Sequence, residues 1–289
     1  MTNLFESDGH KVICGDVLDV LESLVSDESV DLIFADPPYN IGKDFGYVKD
    51  KWPCLDDYVD WCKQWISLCI NKLTPNGSIY IMTSTQAMPY IDIYTQSLIH
   101  VMSRIVWHYD SSGVQAKKKF GSLYEPILFG VKDKQNYTFN YDDIAIEAKT
   151  GAKRKLIDYR KAVPSEYSSI KNPGNVWYFA RVRYRMHEYE NHPTQKPESL
   201  LNRIILASSN PGDVVLDPFA GTYTTCAVAS RLGRRSIGID LNPDYVDIGL
   251  RRVLGYSSLN GRPLESVSKK TRRLNANGVK NFYAEEIVD

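Results

Sequence analysis

The chain is poor in cysteine and has no long apolar run. Its 289 residues include only five cysteines, Cys14, Cys54, Cys62, Cys69 and Cys226. Their number is odd and no Cys-x-x-Cys pair occurs, so neither a disulfide framework nor a metal site is expected. No stretch reaches the roughly 18 apolar residues that cross a bilayer, which argues against a membrane partner. The first residues, Met1-Thr2-Asn3-Leu4-Phe5, carry neither a basic start nor an apolar core, so no signal peptide is expected. Reduced thiols then point to a cytoplasmic protein. Repeats and low-complexity tracts are missing too. Neither sign of charge dominates, with 35 Lys and Arg against 35 Asp and Glu. The balance is uneven along the chain. Between Lys149 and Arg185 basic residues face only two acids, Asp158 and Glu166, and Lys117-Lys118-Lys119 forms a second basic cluster. Local sign matters more than the sum when a phosphate backbone is the partner, although solvated surface charge reads the same way.

What is present is an ordinary globular composition, 43% hydrophobic and 24% charged, long enough to bury a substantial core. Short apolar runs alternate with longer amphipathic stretches, the pattern of a parallel sheet covered by helices. Strands are expected at 11–14, 30–35, 78–82, 104–109, 126–131, 214–216 and 236–239, with the fourth and fifth forming an antiparallel edge. Helices are expected at 17–24, 55–72, 88–99, 199–208, 224–232 and 245–254. Pro75-Asn76-Gly77 reads as a turn. From Lys132 to Asn191 apolar periodicity weakens and Tyr, Arg, Lys and Asn become frequent. Trp177, Tyr178 and Phe179 make this an inserted region rather than a tether. Residues 256–289 read as a polar, loosely ordered tail.

Two segments carry chemistry. Val30-Asp31-Leu32-Ile33-Phe34-Ala35 reads as a buried strand that delivers Asp36-Pro37-Pro38-Tyr39 at its carboxyl end, where open α/β sheets bind ligands. A flat ring bearing an exocyclic amino group could be held there, by acceptors for its two amino hydrogens and by stacking on its face. Asp36 supplies one acceptor. The carbonyl of Pro37 supplies another, with Pro38 fixing the backbone, and Tyr39 offers a face for stacking. The second segment, Asp217-Pro218-Phe219-Ala220-Gly221-Thr222, ends another apolar run in a small-residue turn suited to close backbone approach. Asp240 ends the next strand about twenty residues on, where ribose hydroxyls are held in dinucleotide-type folds.

With these residues the chain resembles the amino-group DNA methyltransferases that use S-adenosylmethionine (AdoMet). The motif order, catalytic segment first and cofactor segment last, is that of the permuted β class. The resemblance covers roughly residues 11–255. It implies a Rossmann-like α/β fold with a seven-stranded, mostly parallel sheet. It implies a methyltransferase domain at 1–255 that contains a target recognition region at 132–191. The implied activity is transfer of methyl to N6 of adenine in double-stranded DNA, by base flipping and direct displacement. Asp at the first motif position is typical of adenine enzymes, and cytosine-N4 transfer is the alternative. Asp217, Phe219, Ala220, Gly221 and Thr222 would form the AdoMet turn, with Asp217 receiving its ammonium. The family usually has Gly where this chain has Tyr223. His192-Pro193-Thr194-Gln195-Lys196-Pro197-Glu198 matches the segment before that turn, so that Thr194, Gln195 and Lys196 would border AdoMet and Lys196 would meet its carboxylate. Asp16 either binds the AdoMet adenine or is a solvent-facing turn carboxylate. Runs such as Ser103-Arg104-Ile105-Val106-Trp107 are similar to solitary bacterial adenine enzymes, whose targets suggest a short palindrome such as ATGCAT.

Arg181, Arg183 and Arg185 alternate, so an extended chain would aim all three one way, toward bases or phosphates, whereas a helix would scatter them. Arg154, Arg160, Lys161, Lys117 and Lys118 are further candidates for DNA contact, the first three for phosphates. RNA and protein-glutamine enzymes share a similar Pro-Pro-Tyr motif but usually place the cofactor motif first. A catalytically idle DNA-binding module would keep the basic segment and lose the pocket. The residues after Tyr256 are too few for a nuclease in the same chain, and a homodimer is among the assemblies the resemblance implies.

Overall fold

The computed structural model describes residues 2–46, 49–110, 117–118, 120–148 and 155–255. The strands are β1 (Asn3–Ser7), β2 (His10–Cys14), β3 (Val30–Ala35), β4 (Leu73–Met82), β5 (His100–His108), β6 (Tyr124–Val131), β7 (Ile146–Glu147), β8 (Ile157–Asp158), β9 (Ser165–Glu166), β10 (Ile170–Lys171), β11 (Val176–Tyr178), β12 (Val214–Asp217) and β13 (Arg235–Asp240). The helices are α1 (Val17–Ser23), α2 (Leu55–Lys72), α3 (Met88–Gln96), α4 (Tyr141–Ile144), α5 (Glu198–Ser208), α6 (Thr224–Arg231) and α7 (Pro243–Gly249), the last running into a π-helical turn at Leu250–Leu254.

One sheet organises the chain, in the order β1-β2-β13-β12-β3-β4-β6-β5-β11. Its central seven strands, β2 to β5, run parallel except β6, which is antiparallel to both neighbours. The expected seven strands are thus extended to nine. On one side, Asp8 and Gly9 take left-handed conformations (φ 51° and 80°) and fold β1 back on β2 as a hairpin. On the other, β11 pairs parallel to β5, so the expected antiparallel pair is not the edge of the sheet. The inserted region therefore contributes to the core, with Trp177 and Phe179 buried.

The apolar run of β3 is continuous because both of its faces are covered. Ile33 and Ala35 pack with α1, α2 and α3, while Leu32 and Phe34 pack with α5 and α6. Pro75-Asn76-Gly77 does not end a strand. Leu73 pairs with Val30 and Ser78 with Leu32, so these residues bulge out between two pairings of one strand. Helix α3 stops at Gln96 rather than Ile99, where Ser97 caps it. The α-helix beginning at Pro243 ends at Gly249, and the remaining turn is π-helical. Among the described residues no helix is long and apolar enough to cross a membrane. Residues 256–289 lie outside the described ones.

Candidate active site

Parallel strands end on one side of the sheet, and four adjacent ones end in acids. Asp16 follows β2, Asp240 ends β13, Asp217 ends β12 and Asp36 follows β3. Strand spacing of roughly 4.8 Å sets these carboxylates in a row along the sheet edge. They open onto one cleft of about 570 Å³, within the range of small-molecule sites. The same cleft is lined by Pro37, Pro38, Tyr39, Thr194, Gln195, Lys196, Phe219, Ala220, Gly221 and Thr222. The fold thus brings the two sequence motifs together.

The Asp36 loop is held from behind. Asp50, almost fully buried, accepts the backbone N–H groups of Tyr39 and Ile41, each at 3.2 Å, and that of Asn40. Three amides on one carboxylate form a fixed cap, and Asn40 takes a left-handed φ of 57° within it. The Tyr58 hydroxyl donates to the Pro38 carbonyl at 2.7 Å. Among the described residues no donor meets the carbonyl of Pro37, and Pro37 lines the cleft.

Asp36 sits in a tight polar cluster. Its Oδ1 accepts from the Tyr39 hydroxyl at 2.7 Å, and its Oδ2 lies 2.5 Å from the Lys196 ammonium. The Tyr39 hydroxyl also reaches Glu125 Oε2 at 2.9 Å, and Lys196 Nζ lies 3.5 Å from the same oxygen. Burial raises the Asp36 carboxyl, with Lys196 pulling it back and Glu125 pushing it further up. Burial alone would lower Lys196, but Asp36 and Glu125 more than offset it and hold the ammonium above its usual range.

At the other motif, Asp217 Oδ1 accepts from Phe219 N at 3.1 Å and Oδ2 from the Thr225 hydroxyl. Burial pushes its carboxyl up to about 7. Asp240 accepts from Gly221 N and Asn242 N, each at 2.8 Å, and burial pushes it up to about 6. Gly221 has φ 50°, and a Cβ there would come within 3.2 Å of the His192 ring. That ring packs edge-on against Tyr245 and is kept neutral, its pKa lowered to about 3 by burial. Phe219 wedges between Trp61 and Trp65. The turn is rigid behind and small-sided toward the cleft, with the buried Asp217 at one end and the half-buried Asp240 at the other. These residues fit a ligand with an ammonium group and a ribose, which are the parts of AdoMet.

Other placements depart from expectation. Lys196 gives its ammonium to Asp36, Glu125 and the Thr194 carbonyl rather than to the cofactor end of the cleft, because a buried cation settles beside carboxylates within reach. Gln195 spends its amide on the backbone of Glu190 and Glu188. Asp16 borders the cleft and also caps α1 through Leu18 N, so its turn role is real. Arg181 lines the cleft and stacks over Tyr109 at 5.1 Å. The alternation breaks after Arg183, because a turn begins at Tyr184 and Arg185 adopts φ 73°. Arg160 forks onto Asp158 at 2.9 and 3.1 Å, and Lys161 donates to Ser165. Lys117 and Lys118 are exposed, and Arg154 lies outside the described residues. Among the described residues no cluster of His, Cys, Asp and Glu could hold a metal ion.

Residues 30–251 match the family model described as N6_N4_Mtase, DNA methylase. The chain belongs to this DNA methylase family. It is 57% identical to DNA adenine methyltransferase YhdJ of Escherichia coli (strain K12), across 92% of this chain and 90% of that one. It is 36% identical to Type II methyltransferase M.HpaI of Haemophilus parainfluenzae, across 91% of this chain and 79% of the other. Among solved structures, the M1.HpyAVI–SAM complex has a TM-score of 0.60 at 23% identity, covering 83% of this methylase and 96% of that chain. The cytosine-N4-specific PvuII DNA methyltransferase also has a TM-score of 0.60, at 17% identity, covering 93% and 89%. The architecture is the α/β, Rossmann-like methyltransferase fold.

Proposed function

We propose that this methylase transfers a methyl group from AdoMet to N6 of adenine in double-stranded DNA, taking the base out of the helix. The observation that carries the reading is the meeting of Asp36-Pro37-Pro38-Tyr39 and the Asp217–Asp240 turn in one cleft. Identity of 57% to a protein named for adenine favours N6 over cytosine N4. AdoMet, when bound, supplies an electrophilic methyl group. Asp217 takes its ammonium, Asp240 its ribose hydroxyls, and the Gly221 turn lets the backbone come close. Asp36 and the Pro37 carbonyl accept the two amino hydrogens, and Asp36 stabilises positive charge as it develops on nitrogen. Tyr39 stacks on the base, a contact worth about 1–3 kcal/mol. Orientation of donor and acceptor supplies the rest.

Residues 1–255 form the catalytic unit in this reading, 132–191 its target recognition region and 256–289 a polar tail. Lys117, Lys118, Arg160, Lys161, Arg181, Arg183 and Arg185 would meet DNA. A cytoplasmic location and a homodimer complete it. Incubation with tritiated AdoMet and plasmid DNA, followed by hydrolysis and base analysis, should place the label in N6-methyladenine. Label in N4-methylcytosine, or none, overturns the reading.

Cofactor affinity should depend on pH with a defined sign. A ligand ammonium prefers Asp217 ionised, so AdoMet affinity should fall roughly tenfold per pH unit below about 7. Stability without ligand should do the opposite. The folded Asp217 and Asp240 hold protons more tightly than the unfolded chain, so stability declines as pH rises from about 4 to about 7. Calorimetric titration with AdoMet at pH 8 and pH 5.5, beside thermal melts, checks both slopes.

A further inference from the structure

The Lys196 ammonium stands where the target amino group has to go. It lies 2.5 Å from Asp36 Oδ2 and 5.5 Å from the centre of the Tyr39 ring. While it stays there, Asp36 Oδ2 accepts from a cation and Oδ1 from the Tyr39 hydroxyl. A nitrogen acquiring positive charge beside Asp36 would meet a fixed ammonium instead of an unshielded carboxylate. The cation is buried, so it cannot leave for water without exposing its own charge. Two acceptors inside the cleft stay within its reach, the Thr194 carbonyl at 3.3 Å and the Glu125 carboxylate, and only the carboxylate can balance its charge. Glu125 Oε2 is already 3.5 Å from Nζ and 2.9 Å from the Tyr39 hydroxyl.

We propose that Glu125 is the second seat of Lys196: as the base enters, the ammonium moves from Asp36 to Glu125 and frees Asp36 for the amino group. No bond is made or broken in this step, and net charge inside the cleft is unchanged. In the empty site Lys196 offsets part of the burial that raises Asp36, and in the occupied site Glu125 holds the ammonium away from it. Glu125 is therefore a positioning residue that acts through Lys196. Its location follows from topology. Because β6 runs against its neighbours, its amino-terminal end lies at the carboxyl edge of the parallel strands. The inference rests on the methyl-transfer reading given above.

The two side chains push Asp36 in opposite directions, Lys196 downward and Glu125 upward, which gives a readout that loss of packing would not move. Other charged or titratable groups also face this cluster. Tyr109 lies beside Glu125, Lys43, Arg181 and His192 lie on the lysine side, and Asp217 lies across the cleft. These stay constant across the variants. Methyl transfer to plasmid DNA from a methylation-deficient host is measured under single-turnover conditions from pH 5 to 9.

Glu125→Gln should slow transfer about 10²-fold, the cost of a misplaced reacting group. The acid limb of its rate profile should move to lower pH. Lys196→Met should move that limb to higher pH. The deciding result is the double variant Glu125→Gln/Lys196→Met, which should be faster than Glu125→Gln alone because the obstructing cation is gone. Simple multiplication of the two losses, or a wild-type rate and profile for Glu125→Gln, overturns the proposal. Thermal melts of each variant separate these outcomes from unfolding. Wild-type enzyme that transfers no methyl to adenine N6 instead removes the reading beneath it.

Discussion

Asp36→Ala should reduce single-turnover methyl transfer by about 10³-fold or more while AdoMet affinity at pH 8 stays within about threefold. The split follows from geometry. Asp36 follows β3 and Asp217 ends β12, on adjacent strands, so in the proposed reading the acceptor side of the cleft can fail without disturbing the turn assigned to the cofactor. The variant should also fold. Removing one partner of a buried ion pair often costs about 3–5 kcal/mol, because the other charge is stranded. Here Lys196 retains Glu125 at 3.5 Å and the Thr194 carbonyl at 3.3 Å. One secondary effect has a known sign. The Asp36 charge contributes to the raised pKa of Asp217, so its loss should shift the pH midpoint of AdoMet binding downward. Rapid-quench assays with labelled AdoMet, beside calorimetry at several pH values, measure both. Undiminished turnover removes Asp36 from the chemistry.

The parts legible in the sequence were those whose cause is local. The run before Asp36 is apolar at every inward position because helices cover both faces of β3, and such a run can be read directly. The turn after β12 is legible for a similar reason, since small residues concentrate where backbone must approach a ligand. What escaped depends on partners distant along the chain. Glu125 is one acid at the start of an apolar strand, ordinary in sequence. It matters only because β6 is antiparallel and lands beside Tyr39, 86 residues away. Asp50 lies in an irregular loop, and its three amide partners become visible only when the loop closes. Strand β11 is three residues within a polar stretch, too short to carry periodicity. The arginine alternation fails at Tyr184-Arg185, where a turn breaks the extended geometry that an even spacing assumes. The β1–β2 hairpin, closed by the left-handed φ of Asp8 and Gly9, was not among the expected elements.

Tyr223→Gly should destabilise the protein by about 2–3 kcal/mol, although it restores the residue usual at that place in the family and removes backbone strain. Tyr223 adopts φ 57°, a conformation that costs a side-chain-bearing residue about 1–2 kcal/mol. Its ring is fully buried, and its hydroxyl donates to the Ile13 carbonyl at 3.2 Å. Truncating a buried aromatic costs about 3–5 kcal/mol, so packing outweighs the relieved strain. In a chain of this size the melting temperature should fall by about 5–10 °C. Two glycines have made room for that ring. A Cβ on Gly238 would lie 2.5 Å from it, and one on Gly249 would lie 2.6 Å away. At Gly249 the three nearest atoms all belong to Tyr223, so the ring is the first obstacle to a methyl group there. Gly249→Ala should therefore change sign with background. In the native chain it forces the ring to shift and destabilises, whereas beside Tyr223→Gly it fills part of the void at the end of α7 and gains helix propensity of about 1 kcal/mol. A double-mutant cycle in urea reads the coupling. Additive losses would mean that ring and glycine do not share this space. A reversal would explain why this chain tolerates an aromatic residue in the cofactor turn: its bulk is absorbed between β13 and α7, on the side away from the ligand.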